Sequence, residues 1–468
     1  MNITSYMLKS NVTAWRLRVA GRLTLRTTCK IAVEVECNLL EKLEKQKVKP
    51  KHHPGIVQVK RISLPYNISR ALQRVIGDYP IKTLLIDCKQ LNQYISSRHP
   101  PPERVDVRKK AEVIIDEVDQ KMMPKNPENL TEGEAVKIRK ARERAIRRVL
   151  AQRIFAWKPL IYDKYEALVY AIGRGAQEYA ILIKILREIE QRDRKFKPRS
   201  YFDFGSGVGT GMWAASTLWK DSIFEYYNVD SSREMNDLSD LIVREGNENQ
   251  QSTLKNVYFR QFLPGIETKY DLIISSFSLF ELPNAQNRRE VLLKLWQKCD
   301  GYLVIVEEGS RKGSELVNEA RKYLLSQNGE DLKGTVFSPC PHDNECPRLS
   351  TAEDKTPCNF ELLYMPLILG ESHSARNTRY SYVVLKKGKS EDSTHKWPRL
   401  VRPTVVRSKH VICRLCTSKG NLQEIIFTQS KHGRPAYRCA KASRWGDRLP
   451  IEVGEINKDK SVQQKPDE

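Results

Sequence analysis

The sequence predicts an α/β protein in which a parallel sheet follows a helical N-terminal region. Three observations support this fold class. Apolar residues recur at helical spacing from about residue 34 to residue 194. From residue 197, short apolar strands alternate with helical segments, which is typical of a parallel sheet with crossover helices. A glycine-rich turn at residues 205–211 joins the first of these strands to a helix.

Composition indicates a globular protein with an anionic partner. The chain has 468 residues, of which 80 are Lys or Arg and 57 are Asp or Glu, so its formal net charge is +23. Such a basic chain suits a polyanion, most often nucleic acid. A hydrophobic fraction of 40% is a globular value. No apolar run reaches the roughly 20 residues that a membrane helix needs, so membrane insertion is not expected.

Residues 1–33 have the composition of a mitochondrial transit peptide. No acidic residue precedes Glu34, and Lys and Arg are spread among Ser, Thr and apolar residues. Such an arginine-rich, acid-poor stretch is typical of import signals, and the continuous apolar core of a secretory signal is missing. Mitochondrial targeting is therefore predicted, with a basic arm that contacts nucleic acid as the alternative.

Residues 34–196 are expected to form a helical domain. Leu64, Ile68, Leu72 and Ile76 lie four residues apart and would share one face of a helix. A later helix is nearly surrounded by Lys and Arg, and we expect it to contact the polyanionic partner. The predicted helices cover residues 63–77, 80–96, 105–121, 137–153 and 165–192.

The remaining residues are divided into a sheet domain, a cysteine-rich segment, a C-terminal domain and a tail. The sheet domain is predicted over 197–335 with 375–390, and the cysteine-rich segment over 336–374. A small β-rich domain is expected over 398–455, followed by a disordered polar tail at 456–468. Predicted strands cover residues 200–204, 224–229, 270–275, 302–306, 380–386, 411–415, 422–428 and 436–439.

The glycine-rich turn predicts a site for a nucleotide-like ligand. A Walker-type phosphate loop needs Lys-Ser/Thr after its glycines, whereas Met212-Trp213 follows here. Asp203 precedes the turn, and Asp230 ends the next strand, where an acidic residue can accept hydrogen bonds from both ribose hydroxyls. A dinucleotide would also fit this pattern.

The run Asp203-Phe-Gly-Ser-Gly-Val-Gly209 resembles motif I of S-adenosylmethionine-dependent class I methyltransferases, and Tyr270-Asp-Leu-Ile-Ile274 is similar to their fourth strand. The resemblance implies a class I methyltransferase-like (Rossmann-like) sheet. It also implies a cofactor-binding set for S-adenosyl-L-methionine, with the glycines near the methionine end and the second acid on the ribose. A sheet that has lost its ligand is the alternative. The implied set is Asp203, Gly205, Gly207, Gly209 and Asp230.

Catalysis is less well supported than the cofactor fold. Amino-group methyltransferases usually carry an Asn/Asp-Pro-Pro-aromatic segment after the fourth strand, whereas Ser275-Ser-Phe-Ser-Leu-Phe-Glu281-Leu-Pro283 occurs here. No cysteine lies nearby to act as the nucleophile of cytosine C5 methylation. Glu281 and Glu307 are candidate catalytic bases. The alternative is that each is a carboxylate that faces solvent or the ribose and takes no part in catalysis. Whether the chain is an enzyme is left open, and no catalytic residue is predicted.

Cysteines in the C-terminal third predict a metal site. Cys340, Cys346 and Cys358 lie in one proline-rich segment, and Cys413-Arg-Leu-Cys416 follows further along the chain. Four thiolates fit zinc and also fit an iron–sulfur cluster. Zinc ribbons usually have two tight Cys-x-x-Cys pairs and this chain has one, so the wider spacing favours the cluster. Buried thiols without a metal are the alternative.

Three C-terminal stretches carry a more specific resemblance, to the mitochondrial methyltransferase-like protein 17 family of small-subunit ribosome assembly factors. They are Cys340-Pro-His-Asp-Asn-Glu-Cys346-Pro, Cys358-Asn-Phe360 and Tyr437-Arg-Cys-Ala-Lys-Ala-Ser-Arg-Trp445-Gly-Asp447. Arg174 is similar to an arginine in the helix that precedes this family's sheet. The gap from Cys346 to Cys358 is longer than the family pattern, and Glu308 stands where proline is common.

The resemblance implies a monomeric protein of the mitochondrial matrix that binds the small ribosomal subunit and its rRNA. It also implies a [4Fe–4S] cluster on Cys340, Cys346, Cys358 and Cys416, with Cys413 as the alternative fourth ligand. Two other functions remain open: an active S-adenosylmethionine-dependent rRNA methyltransferase and a zinc-stabilised RNA-binding module.

Overall fold

The computed structural model describes residues 31–45, 47–57, 59, 61–98, 100–101, 103–122, 131–153, 160–265, 267–350, 356–370, 374–388 and 396–455. The predicted tail and residues 1–30 of the predicted transit peptide lie outside these residues. Residues Val33–Glu452 form one compact unit, which contains all of the sites discussed below. No helix in the described ranges is long and apolar enough to cross a membrane.

The helices and strands alternate in the order that the sequence predicts, after an N-terminal helical region. They are β1 (Ile31–Val35), α1 (Cys37–Glu44), α2 (Tyr66–Ile76), α3 (Ile81–Ser97), α4 (Arg104–Met122), α5 (Glu132–Arg153), α6 (Lys164–Arg192), β2 (Ser200–Phe204), α7 (Thr210–Trp219), β3 (Glu225–Val229), α8 (Arg233–Val243), β4 (Val257–Arg260), β5 (Tyr270–Ser276), α9 (Ala285–Lys298), β6 (Cys299–Glu308), α10 (Arg311–Leu325), β7 (Gly334–Ser338), α11 (Pro347–Ser350), β8 (Phe360–Tyr364), β9 (Arg376–Lys387), β10 (Arg399–Leu400), β11 (Val405–Val406), β12 (His410–Cys416), β13 (Leu422–Thr428), α12 (Gln429–Ala442) and β14 (Ile451–Glu455).

The central sheet has eight strands in the order β4-β3-β2-β5-β6-β9-β7, with β8 also paired to β9. Strands β2 to β6 run parallel to one another, and β9 runs antiparallel to β6. This is a Rossmann-like parallel sheet with an antiparallel edge, as in class I methyltransferases. The predicted α/β fold class is confirmed.

Helices cover both faces of the sheet. Strands β5 and β6 contain the apolar runs 272–274 and 302–306, which are fully buried, as expected for parallel strands between two helical layers. One apolar core lies between the sheet and α6, α7, α8 and α2, and the second lies against α9 and α10. The 29-residue helix α6 is buried along most of its length. It passes both of the candidate sites.

Strand β9 positions the cysteine-rich segment. One edge of β9 pairs with β6, and its other edge is shared by β7 and β8. Ser338 of β7 pairs with Val384, and Phe360 of β8 pairs with Tyr380, only four residues along β9. The chain between them therefore leaves the sheet and returns to nearly the same place, so its two ends are held close together.

The N-terminal region is helical as predicted, apart from strand β1, which includes the first two residues of the predicted helical domain. The basic helix α5 packs against α4 around Ile114 and Val118, a small apolar cluster of its own. Since this cluster uses one face of α5, the Lys and Arg side chains on its other faces are largely exposed.

The C-terminal segment contains a small antiparallel sheet in which β12 pairs with β10, β11 and β13. The strands predicted over 411–415 and 422–428 are confirmed as β12 and β13. The strand predicted over 436–439 is wrong, because these residues lie in α12. The Thr428 hydroxyl accepts a hydrogen bond from the Lys431 N–H and caps this helix, and its buried residues follow helical spacing.

Candidate cofactor and metal sites

The predicted glycine loop connects β2 to α7. Gly205, Gly207 and Gly209 have φ angles of 69°, 51° and 91°, in the left-handed region that favours glycine. A Cβ atom at Gly205 would lie 2.5 Å from the Cβ of Ser278, in the loop after β5. Glycine is therefore required for both the turn and the close approach of these two loops.

Asp230 follows β3 and faces the glycine loop. Its carboxylate accepts hydrogen bonds from the backbone N–H groups of Gly207 and Ser232, both at 2.9 Å. Burial raises the pKa of Asp230, although these two hydrogen bonds act in the opposite direction. Each carboxylate oxygen can accept more than one hydrogen bond, so the group retains capacity for a ligand.

Asp203 lies beneath the loop, in the interior. Its side chain is fully buried, and one oxygen accepts a hydrogen bond of 2.7 Å from the Tyr201 hydroxyl. Within the described chain its other oxygen has no hydrogen-bond partner. Burial raises the pKa of Asp203 to about 7. The first turn of α7 packs directly on this carboxylate, since a Cβ at Gly211 would lie only 2.5 Å from it.

Side chains of α6 connect the glycine loop to the rest of the site. Tyr170 donates a hydrogen bond of 2.7 Å to Glu178, and Arg174 donates one of 3.0 Å to the same oxygen. The other Glu178 oxygen lies 3.4 Å from the hydroxyl of Thr210, the first residue of α7. Arg174 also pairs with Glu308, just after β6. One buried network thus joins α6 to the carboxyl-terminal edge of the sheet.

The two candidate bases are not solvated carboxylates. Glu281 forms a bidentate ion pair with Arg98. Glu307 is fully buried, and burial raises its pKa to about 8. Phe277, in the segment that replaces the amine platform, has a left-handed φ of 56° and lies under the Arg174 guanidinium, 5.0 Å from its carbon.

This geometry fits S-adenosyl-L-methionine at its ribose end. The glycine loop brings backbone close to the ligand position, and the Asp230 carboxylate is adjacent to it. The ring of Tyr170 lies 4.0 Å from where a Cβ at Gly207 would be, so an aromatic side chain covers the loop. Of the five predicted cofactor-binding residues, Asp203 lies beneath the glycine loop, where it contacts Tyr201 and the first turn of α7.

Four of the predicted metal ligands line one cavity. Cys340 and Cys346 come from the segment after β7, Cys358 precedes β8, and Cys416 ends β12. Two separate parts of the chain therefore meet at this cavity. Of its other lining residues, Arg399 is fully buried and belongs to the C-terminal segment.

The thiols of this cavity are electrostatic neighbours. Burial raises the pKa of Cys416 well above its usual range, and negative charge on any of the other three cysteines would raise it further. Cys413 is different: burial raises its pKa to about 12, and its side-chain hydrogen bond is with Thr404. Residues three apart in a strand point to opposite faces, so β12 directs Cys416 into the cavity and Cys413 away from it.

The four thiols are not arranged as ligands of one ion. In the residues that the structure describes, no group of three or more His, Cys, Asp or Glu side chains could hold a single metal ion. Zinc would need four sulfurs at about 2.3 Å from one centre. A cluster of several iron atoms holds its cysteines further apart, because each thiolate binds a different iron. The donor set is all cysteine, which suits such a cluster.

Cationic side chains surround the cysteine cavity. Arg321 of α10 donates hydrogen bonds to the carbonyls of His342 and Asn344, at 2.9 and 2.7 Å. Its positive charge lowers the pKa of Cys340 and of Cys416, against the larger effect of burial. The His342 imidazole Nε2 lies 3.3 Å from the Cys416 sulfur. These contacts fix the segment after β7 against β12 and α10.

A buried charge network ties the same region to α6. Glu188 accepts two hydrogen bonds from Arg399, at 2.7 and 3.0 Å, and one of 2.9 Å from Arg192. Arg399 also donates to the Pro339 carbonyl at 2.9 Å, and Arg192 donates to the Phe337 carbonyl at 2.7 Å. Helix α6, the cysteine segment and the C-terminal segment are therefore joined at one point.

Comparison with protein families settles where the chain belongs. The model of the family described as mitochondrial small ribosomal subunit Rsm22 matches residues 164–450, more than half of the chain. The chain belongs to the Rsm22 family.

Relatives of this Rsm22-family chain extend the similarity beyond the sheet. It is 34% identical over 411 residues to the human ribosome assembly protein METTL17, mitochondrial, and the match covers 87% of each chain. It is 22% identical over 409 residues to the Saccharomyces cerevisiae ribosome assembly protein RSM22, mitochondrial, covering 58% of this chain and 65% of the yeast protein.

Two solved structures that match about half of the chain at low identity are as follows. A putative RNA methyltransferase from Pyrococcus horikoshii is 12% identical and matches 49% of this chain and 99% of its own, with a TM-score of 0.28. Magnesium protoporphyrin IX methyltransferase from Synechocystis is 14% identical and matches 52% of this chain and 92% of its own, with a TM-score of 0.29.

Sequence reasoning singled out Arg174 on α6 of this Rsm22-family chain but missed its neighbours Tyr170 and Glu178, which join the same buried network. Tyr170, Arg174 and Glu178 are four residues apart, so one face of a buried helix carries three polar groups. Their spacing of four residues within an otherwise apolar helix is the sequence feature that could have predicted this buried polar network. The buried pair of Glu188 with Arg399 spans 211 residues and has no local signal at all.

Proposed function

We propose that this chain is a mitochondrial ribosome assembly factor that works as a monomer in the matrix and binds the rRNA of the small subunit. In this proposal a [4Fe–4S] cluster on Cys340, Cys346, Cys358 and Cys416 fixes the C-terminal segment to the methyltransferase-like sheet. The observation that carries the proposal is the meeting of these four cysteines, from two separate parts of the chain, at one cavity. The names of the human and yeast relatives support the mitochondrial location and the assembly role.

The surroundings of the cavity suit an anionic cluster. A cubane with four thiolates carries net negative charge, and buried charge must be offset. Arg321 lies near Cys340 and Cys416, and the charges of Arg348 and Arg402 act on Cys358. When bound, the cluster supplies a covalent link between β12 and the segment after β7. Its binding free energy then contributes to folding.

The C-terminal segment supplies a basic surface for rRNA. Besides Arg414 on β12, its exposed cations lie in the β11–β12 turn, the β12–β13 turn, α12 and the residues just after α12. Both turns adjoin β12, the strand that ends in Cys416. Phosphate contacts from such a surface give affinity that falls steeply with salt concentration. These exposed residues are Arg407, Lys409, Lys419, Lys431, Arg434, Arg438, Lys441 and Arg444.

The link between cluster and RNA follows from this arrangement. Without the cluster, the thiol cavity loses its cross-link, and the C-terminal segment is held against α6 by buried ion pairs such as Arg399–Glu188 and Lys184–Asp447. Cations on a loosely held sheet present no fixed pattern to rRNA, and ordering them on binding costs conformational entropy. Cluster supply would in this way control ribosome association.

Affinity purification of the full chain from mitochondria, followed by sequencing of the bound RNA, tests the proposal. We expect the wild type to enrich small-subunit rRNA and Cys346→Ser to lose most of it. Cys299→Ser is the matched control, because Cys299 is equally buried but lies in β6, outside the thiol cavity. Undiminished rRNA recovery with Cys346→Ser, from protein that lacks iron, would overturn the proposal.

The glycine loop supports a second candidate function, S-adenosylmethionine-dependent methylation of rRNA. Its basis is the position of Asp230 beside the loop. Transfer of a labelled methyl group to rRNA by the purified wild type, lost in Gly207→Arg, would establish this activity. Absence of transfer with rRNA that the protein binds would exclude it.

A further inference from the structure

A second cavity lies on the far side of the Arg174–Glu308 pair from the glycine loop. It has a volume of about 710 Å³, within the range of roughly 300–1,000 Å³ that is usual for ligand sites. Its walls come from α3, α6, the end of β6 with the turn after it, residues 364–369 and residues 376–379. Among the described residues, its lining includes none of the glycine loop, so it is distinct from the proposed cofactor site.

The lining is strongly cationic. Four of the residues around the cavity are Lys or Arg: Lys89, Arg174, Arg376 and Arg379. The carboxylate in the lining, Glu308, is already paired with Arg174. Arg379 pairs with Glu361 at 3.2 Å in an exposed position, where such pairs contribute little. The cavity therefore attracts an anion.

The interior combines apolar walls with amide groups. Leu85, Ile172, Leu367 and Leu369 supply apolar surface, and the amides of Gln177 and Asn377 supply polar groups. The Asn92 amide is in the lining too, but it already donates to the Cys88 and Gly173 carbonyls. A bare phosphate would leave the apolar walls unused. A nucleotide would use all three features, because it joins a phosphate to a flat base whose edge is read by amide hydrogen bonds.

Lys89 and Arg376 stand where a phosphate would be held. Both side chains are exposed, Lys89 on α3 and Arg376 at the start of β9, on opposite walls of the cavity. The Arg376 side chain hydrogen-bonds the Tyr364 hydroxyl, which also lines the cavity. A base stacked in a duplex cannot enter a cavity of this size, whereas an unpaired one can.

We propose that this cavity binds one unpaired nucleotide of RNA, with its phosphate between Lys89 and Arg376 and its base against the apolar walls and amides. This inference rests on the proposed function, since it names the kind of rRNA element that the chain recognises. A nucleotide within RNA and a free nucleoside monophosphate present the same phosphate and base to the cavity. A free mononucleotide is therefore the other ligand that the experiment has to distinguish.

Binding of a labelled single-stranded oligoribonucleotide to the full, anaerobically purified chain tests the inference. The double variant Lys89→Glu/Arg376→Glu removes the cations that would hold the phosphate. The control, Lys82→Glu/Lys255→Glu, changes the net charge equally at two exposed lysines outside the cavity. We expect the cavity variant to lose affinity by about tenfold or more, and the control by less than about threefold. The salt dependence should also become shallower by about 0.7 in slope for each phosphate that is no longer neutralised.

Two measurements make the outcome independent of folding. Thermal melting should show that both double variants unfold at the wild-type temperature. In the wild type, cross-linking with a 4-thiouridine oligoribonucleotide should map to α3 or residues 364–379. Equal losses in both double variants, together with cross-links only elsewhere, would overturn the inference while leaving rRNA recovery in the Cys346 experiment unaffected.

Adenosine monophosphate distinguishes the two sources. If it binds the wild type and not the cavity variant, with an affinity equal to that of the oligonucleotide, the ligand is a free nucleotide. If the oligonucleotide binds through the cavity and the mononucleotide does not compete, the ligand is a nucleotide within an RNA chain, as proposed. If neither ligand depends on Lys89 and Arg376, the cavity is not a nucleotide site.

Discussion

Glu307 is a carboxyl group whose buried environment changes its ordinary acid chemistry. Its carboxyl is fully buried at the end of β6, accepts a hydrogen bond of 2.8 Å from the Leu279 N–H, and has its pKa raised from 4.5 to about 8 by burial. The folded protein therefore keeps a proton that the unfolded chain releases. Stability should fall as the pH rises from about 4.5 towards 8 and be constant above that, as far as this group is concerned.

Replacing Glu307 by Gln tests this assignment, because the amide has the shape of the protonated acid. At pH 8 we expect Glu307→Gln to be more stable than the wild type by ~2 kcal/mol or more, and near pH 4.5 to be no more stable. Chemical denaturation at both pH values measures the difference. An identical pH dependence in the two proteins would contradict the account of this site.

Asp230 gives the prediction for the cofactor loop. Asp230→Ala should weaken binding of S-adenosyl-L-methionine by about tenfold or more, since it removes a charged acceptor beside the loop. Asp237→Ala, on the exposed face of α8, is the control and should bind as the wild type does. Isothermal titration calorimetry measures both. Equal affinities in the two variants would place the ribose elsewhere.

At the scale of elements, α6 organises the molecule. Glu178 connects it to the start of α7, and Glu188, ten residues further along the helix, connects it to the cysteine segment. Ten residues of helix span about 15 Å, so one rigid element reaches both candidate sites. The charge network around Glu188 is buried, and a buried charge that loses its partner is costly.

Arg399→Met should therefore destabilise the protein by ~3 kcal/mol or more, because Glu188 keeps Arg192 but loses its bidentate partner. Arg414→Met, which breaks the exposed pair of Arg414 with Glu424, should cost less than about 1 kcal/mol. Denaturant unfolding of the two variants gives both values. Similar losses would mean that the Glu188 network does not hold the C-terminal segment.

Elements with strong local signals were predictable from the sequence, and contacts between distant elements were not. The apolar run of β5 and the glycine turn before α7 specify their own structures, and both were predicted correctly. The prediction of a strand over 436–439 was wrong because four residues are too few to distinguish a strand from a helix, and these residues form helical turns after the kink at Gly433. Cys413 and Cys416 could not be separated until pairing with β13 fixed which face of β12 points to the cavity.

For the whole molecule, the net charge of +23 is distributed over several surfaces. Part belongs to the predicted transit peptide, and exposed cations on α5, the C-terminal segment and the second cavity remain for the partner. The position of the C-terminal surface depends on the thiol cavity, because Cys416 of the C-terminal sheet lies there. A protein that lacks the cluster should retain its central sheet and lose the position of its C-terminal segment.

Iron and acid-labile sulfide in the full chain, purified without oxygen, test this central claim most directly. The wild type and Cys413→Ser should each contain about four iron atoms and four sulfides per chain, and Cys416→Ser should contain far less of both. Cys413 lies on the same strand and is also buried, so it controls for the loss of any thiol from β12. Stoichiometric zinc without sulfide in the wild type, or full iron content in Cys416→Ser, would contradict the account.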